Sequence, residues 1–170
     1  MNARVGPLAV MLVGVVIVAF SALVRQSPSL VWNASDSVPV GLYRVYSADQ
    51  VTINDLVAIV PLPSLARVLS EGGYLPRGVP MLKHVAALGG QTVCRRGLVV
   101  TVEGDPVAVA QEHDRRGRPL PVWQGCHVLS DDEFFALNAA LDSFDGRYLG
   151  SLPRSSIIGN ASLLWTPNDE

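Results

Sequence analysis

Val79-Pro80-Met81-Leu82-Lys83-His84-Val85-Ala86-Ala87 is an apolar run broken by two polar residues. Pro80 precedes its Met81–Ala87 portion and Gly89-Gly90 follows it, and the composition reads as a β-strand. Lys83 is the only lysine in the chain; the other twelve of the 13 lysine and arginine residues are arginines. Arginine stays protonated in proteins, whereas a buried lysine gives up its proton readily. A lysine kept in an arginine-using chain is therefore a candidate neutral amine. The competing reading is a composition that left one lysine by chance.

Outward from this strand, similar runs recur. Val38–Tyr46, Asp55–Val60, Leu98–Val102, Val107–Ala110, His127–Leu129, Phe134–Leu137 and Ile157–Trp165 are largely apolar, and Gly, Pro and Asp punctuate them. Glu103-Gly104-Asp105-Pro106 between two Val-rich runs reads as a hairpin turn. Leu62–Tyr74 reads as one short helix or a lid, and the polar, Pro-containing 111–124 as an extended loop. There is no repeat, no low-complexity tract and no second domain. The expectation is a mainly β domain over residues 31–170.

Residues 1–30 are different. Leu8–Val24 contains no charge and would span roughly 26 Å as a helix, slightly short of a hydrocarbon core. Flanking residues can cover the remainder. The segment reads as an uncleaved transmembrane anchor, followed by a short linker. A cleavable signal peptide ending near Ala19-Phe20-Ser21 is the alternative. Arg4 and Arg25 lie on opposite sides, so the positive-inside rule says little about orientation. Trp32, close to the membrane exit, reads as an interfacial anchor.

Two cysteines, Cys94 and Cys126, could close one disulfide, which would place the domain in an oxidising compartment. The formal net charge of -2 argues against a nucleic-acid surface. Arg115-Arg116-Gly117-Arg118 reads as a solvated basic loop. His84, His113 and His127 lack metal-ligand spacing, so no metal site is expected. Ser35 and Ser37 lie in the polar stretch Asn33–Ser37 ahead of a strand. A serine hydroxyl is a poor nucleophile until a base takes its proton, and a desolvated Lys83 could be that base. Taken alone, the pair reads equally as a polar turn.

Four stretches in order resemble the serine/lysine signal peptidases, and most closely the TraF-type maturation peptidases of conjugative transfer systems. NASDSVPVGLYRV (33–45) resembles the nucleophile box, and GYLPRGVPMLKHVAALGGQTVC (73–94) the lysine box. GRPLPVWQGC (117–126) is similar to a segment of the TraF branch, and SFDGRYLG with IIGNASLLW (143–150 and 157–165) to the C-terminal box. Two departures stand out. His84 replaces an arginine common after the lysine, and Gly89-Gly90-Gln91 replaces a frequent Pro-Gly-Asp turn.

The resemblance implies a signal-peptidase-like β domain with Ser37 as nucleophile and Lys83 as general base. Ser35, with the Ser37 backbone N–H, would form the oxyanion hole. Asp145 and Arg147 would organise the site as an acidic-basic pair. It further implies a single-pass protein of the inner membrane with its domain in the periplasm. That protein would need no cofactor and would cleave an exported protein, a pilin precursor above all. Three alternatives compete. They are a general type I signal peptidase, a non-catalytic membrane-anchored β domain of a pilus or secretion complex, and a soluble repressor-type autoprotease. The last is disfavoured by the anchor.

Overall fold

The apolar runs pair into two antiparallel sheets in the computed structural model, which describes residues 5–23, 29–47 and 50–167. In chain order the strands are β1 (Leu30–Asn33), β2 (Gly41–Tyr46), β3 (Leu56–Ile59), β4 (Met81–Leu88), β5 (Thr92–Arg96) and β6 (Val99–Val102). They continue with β7 (Asp105–Val109), β8 (Gly125–Val128), β9 (Glu133–Leu137), β10 (Leu152–Pro153) and β11 (Ile157–Trp165). The larger sheet has the order β1-β2-β11-β3-β4-β9-β10, and the smaller β7-β6-β5-β8. Three α-helices, α1 (Val5–Leu23), α2 (Pro63–Glu71) and α3 (Gly146–Leu149), and one 3-10 turn at Arg154–Ser156 complete the described elements.

The mainly β expectation holds, and several boundaries move. The strand expected over 38–46 starts only at Gly41. A Cβ at Gly41 would collide with the Trp165 carbonyl oxygen, so only glycine lets β2 close against β11 there. Residues 30–33, for which no strand was expected, form β1 and pair with β2 in the register Asn33↔Gly41. β5 was not anticipated, because its apolar signal is diluted by Arg95 and Arg96. The 103–106 turn is a hairpin between β6 and β7. Glu103 (φ 51) and Gly104 (φ 91) both take the positive φ that a two-residue primed turn requires. Gly89-Gly90-Gln91 forms a satisfied turn. Gly90 takes φ 88, and the Gln91 side chain accepts the Leu88 N–H at 2.9 Å.

The transmembrane expectation fares differently. α1 is 19 residues long, but among the described residues no helix is long and apolar enough to cross a membrane. Val24, the last residue of the expected anchor, and Arg4 and Arg25 on its two sides lie outside the described residues.

Core packing explains why β4 sits where it does. Its burial covers both faces at its start, with Met81, Leu82 and Lys83 all buried. Met81 and Val85 pack with Val57, Ile59 and Leu69 of β3 and α2. Leu82 points the other way, into a cluster with Val38, Tyr43 and Ala58. Further along, Ala87 joins Val93, Val100 and Phe135 between the two sheets. A strand buried on both faces reads as a near-continuous apolar run, and Lys83 is the charge inside it.

Candidate active site

Strand alternation puts Lys83 on the same face as Met81 and Val85, and it is only 6% exposed. Its Nζ donates to Ser143 Oγ at 2.7 Å. Burial lowers its pKa to about 8; the Asp145 charge opposes that shift and Arg147 adds to it. The apolar setting, foremost, makes the neutral amine accessible near neutral pH.

Ser37 lines the same cavity as Lys83. Asn33 at the end of β1 organises the turn that carries it. The Asn33 Nδ2 group donates to the carbonyls of Ser35 (2.7 Å), Val38 (2.9 Å) and Pro39 (3.1 Å). Its Oδ1 accepts from the Ser35 N–H at 3.3 Å and the Ser35 hydroxyl at 3.0 Å. Tyr43 Oη donates to the Pro39 carbonyl at 2.8 Å, and buried Val38 pins the turn to the core. Ser35 Oγ and Ser37 Oγ lie 3.0 Å apart. Each hydroxyl has one proton. Ser35 spends its own on Asn33, so Ser37 donates to Ser35.

These groups line one cavity of about 300 Å³, which includes Asn33, Ser35, Ser37, Lys83 and Ser143. Leu69, Leu75, Pro80 and Met81 supply its apolar wall. Asp145 and Arg147 do not enter the cavity. Both are buried and knit the loop after β9. Asp145 accepts from the Asn138 N–H at 3.0 Å and the Arg147 N–H at 3.1 Å. Arg147 donates to the carbonyls of Asn138 (2.5 Å) and Ala140 (2.7 Å). The two side chains approach to 3.5 Å. A Cβ at Gly146 would sit 2.7 Å from the Ala136 carbonyl oxygen, so glycine lets α3 dock on β9.

Residues 2–166 match the family model described as signal peptidase, peptidase S26. The chain belongs to the peptidase S26 family. A probable conjugal transfer protein TraF of Sinorhizobium fredii is 33% identical over 144 residues, covering 79% of this chain and 76% of that relative. A plasmid transfer protein TraF of Escherichia coli is 31% identical over 135 residues, covering 74% and 76%. A signal peptidase I of Enterococcus faecalis overlays 67% of this chain and 98% of its own at a TM-score of 0.40 and 16% identity. The S26 chain is thus TraF-like, as the four boxes suggest.

Among the residues expected from sequence, Ser35, Ser37 and Lys83 share the cavity, while Asp145 and Arg147 stand behind it. Cys94 and Cys126 lie opposite each other on β5 and β8 and are disulfide-bonded. Two site residues escaped the sequence reading. Ser143 opens the C-terminal box but shows its value only through Lys83, 60 residues away. Asn138 clamps β4 from β9. Its Nδ2 donates to the Leu82 carbonyl at 3.0 Å and its Oδ1 accepts the His84 N–H at 3.1 Å. The exposed His84 ring also meets Asn138 Oδ1 at 3.1 Å, on the side of β4 opposite Lys83.

Proposed function

We propose that this S26 chain is a membrane-anchored serine endopeptidase that matures an exported protein, with a conjugative pilin precursor as its substrate. The reading rests on one observation: a buried, hydrogen-bonded lysine of lowered pKa shares a cavity with two adjacent serine hydroxyls. The names of the conjugal and plasmid transfer relatives support the choice of substrate. The uncharged segment 8–24 supports the anchor and, with the disulfide, a periplasmic domain.

In this reading Ser37 Oγ turns from Ser35 toward neutral Lys83. Lys83 Nζ takes the hydroxyl proton as Oγ attacks the scissile carbonyl. The Ser37 N–H and the Ser35 hydroxyl hold the resulting oxyanion, Ser35 leaving its Asn33 bond to do so. Collapse of the tetrahedral adduct breaks the C–N bond, and the Lys83 ammonium protonates the departing amine. Water, deprotonated by Lys83, then cleaves the acyl ester. A substrate amine at the same position would give a cyclic or transferred product instead. Ser143 holds the amine in position, and Asp145 and Arg147 hold the loop that carries Ser143.

A general type I signal peptidase would use the same chemistry. A non-catalytic β domain would have no need to bury its one lysine beside serines. The test is mass spectrometry of a pilin precursor co-expressed with wild-type, Ser37→Ala or Lys83→Arg enzyme. Wild type shifts the precursor to a shorter product, and both variants leave it intact. Arginine keeps the charge but cannot serve as a base, so a processing-competent Lys83→Arg enzyme rejects the mechanism.

A further inference from the structure

A second cavity of about 250 Å³ adjoins the first, and the two share Tyr74, Arg115, Asp142 and Phe144. These shared residues form the wall common to both cavities, so the second cavity lies directly beside the one that holds Ser37. Its aromatic lining is a fixed stack: Tyr74 on Phe144 at 4.4 Å and Phe144 on Tyr148 at 5.4 Å between ring centroids. Both phenol oxygens are committed. Tyr74 Oη donates to Asp114 at 2.7 Å, and Tyr148 Oη accepts the Gln111 N–H at 2.9 Å.

The opposite wall is the loop that carries Arg115, Arg116 and Arg118, and its charges do not cancel. Asp114 is used up internally. It accepts the N–H groups of Arg116 (2.8 Å) and Arg118 (2.9 Å), and it pairs with the Arg118 guanidinium at 2.6 Å. Burial opposes ionisation of Asp114, yet these bonds and that from Tyr74 hold the carboxyl well below the usual range. Arg115 pairs with Asp142. Arg116 has no acidic partner among the described residues. Its guanidinium lies against Gly73, where a Cβ would come within 3.4 Å of Nη1. Gly73 also takes φ 68, a conformation natural to glycine. The cavity thus has an aromatic floor, two neutralised acids and one unmatched planar cation at its rim.

We propose that this second cavity is a substrate subsite that takes a carboxylate-bearing residue of the precursor protein, with Arg116 as the specificity-determining residue. The inference rests on the peptidase reading of the adjoining site. The carboxylate approaches edge-on and accepts two parallel N–H bonds from the guanidinium, the geometry for which arginine is suited. The Arg118 guanidinium lies over the Tyr74 ring at 4.9 Å, so the aliphatic part of the same residue meets the edges of the stacked rings rather than an open face. The carboxylate source is either an Asp or Glu side chain or the free C-terminus of the substrate.

The test uses full-length Ser37→Ala protein in detergent and fluorescent peptides that carry either Glu or Gln at successive positions around an Ala-Ala bond. Each peptide is made with a free and with an amidated C-terminus. Binding is read by fluorescence anisotropy. We expect roughly tenfold tighter binding of the Glu peptide at one position, the scale of a charge-assisted pair. In an Arg116→Glu background of the same protein, preference passes to a Lys-substituted peptide. If amidation rather than Glu→Gln weakens binding, the C-terminus is the source. Binding that changes with neither Glu→Gln nor amidation overturns the subsite, and so does absence of binding or a preference that survives Arg116→Glu. Cleavage by the wild-type enzyme is scored separately. Peptides bound with the charge preference but never cut would reject the peptidase reading and leave the subsite standing.

Discussion

Lys83 shows what burying an amine costs the fold. Its pKa falls from 10.5 in the unfolded chain to about 8 because burial disfavours the ammonium. Between those values the unfolded chain binds more protons, so stability rises with pH across that window. Below about 8 the penalty is fully present and amounts to about 3 kcal/mol. Lys83→Met should therefore raise stability by up to about that amount at pH 7 while abolishing cleavage. Chemical denaturation at pH 7 and pH 10 checks this, since the gain should shrink at the higher pH. A variant less stable than wild type at pH 7 would show that burial is not the source of the low pKa. Ser35 belongs to the same scale. Its hydroxyl rests on Asn33 and Ser37, and in the proposed mechanism it is needed only once the oxyanion forms. Ser35→Ala should lower kcat by ~10²-fold or more with KM little changed. Unchanged kcat would move the second oxyanion donor elsewhere.

At the scale of elements, the strand that carries Lys83 was legible, whereas β1 ahead of the serine turn and the loop after β9 were not. β4 and β11 are long apolar runs with clear punctuation, and they form where the pattern puts them. β1 and β5 are short and carry Asn33, Arg95 and Arg96, so no periodic signal marks them. Buried Arg95 makes sense only in three dimensions, where it donates to the Arg147 carbonyl at 2.6 Å and ties the small sheet to α3. Asn138 and Ser143 are invisible for the same reason: their partners on β4 are 54 to 60 residues away. Removing Asn138 should loosen the loop that holds Ser143. Asn138→Ala is expected to lose roughly 2 kcal/mol of stability, because it leaves the buried Leu82 carbonyl unpaired, and to lose activity with it. A thermal melt paired with peptide turnover reads both, and an unchanged melt would refute the clamp. The cross-strand disulfide closes a 32-residue separation and should contribute about 3–4 kcal/mol. Thiol labelling of the exported protein, denatured without reductant, should find neither Cys94 nor Cys126 free.

For the whole molecule, the two sheets and α2 make a buried environment around one amine and leave a cleft open beside it. The serine turn enters from β1 and β2, the lysine from β4, and the orienting hydroxyl from the loop after β9. No single element contains the site, which is why four separate stretches of sequence were needed to suggest it. The central claim is that neutral Lys83 is the base for Ser37. Its most direct test is the pH dependence of kcat/KM for peptide cleavage by the wild-type enzyme, with the fold checked at each pH. The acidic limb of that profile reports the base in the free enzyme. The predicted result is a rise with an inflection near pH 8 and a plateau above it. A rate still climbing at about pH 10, near the value of an unburied lysine, with the fold intact, would contradict the claim.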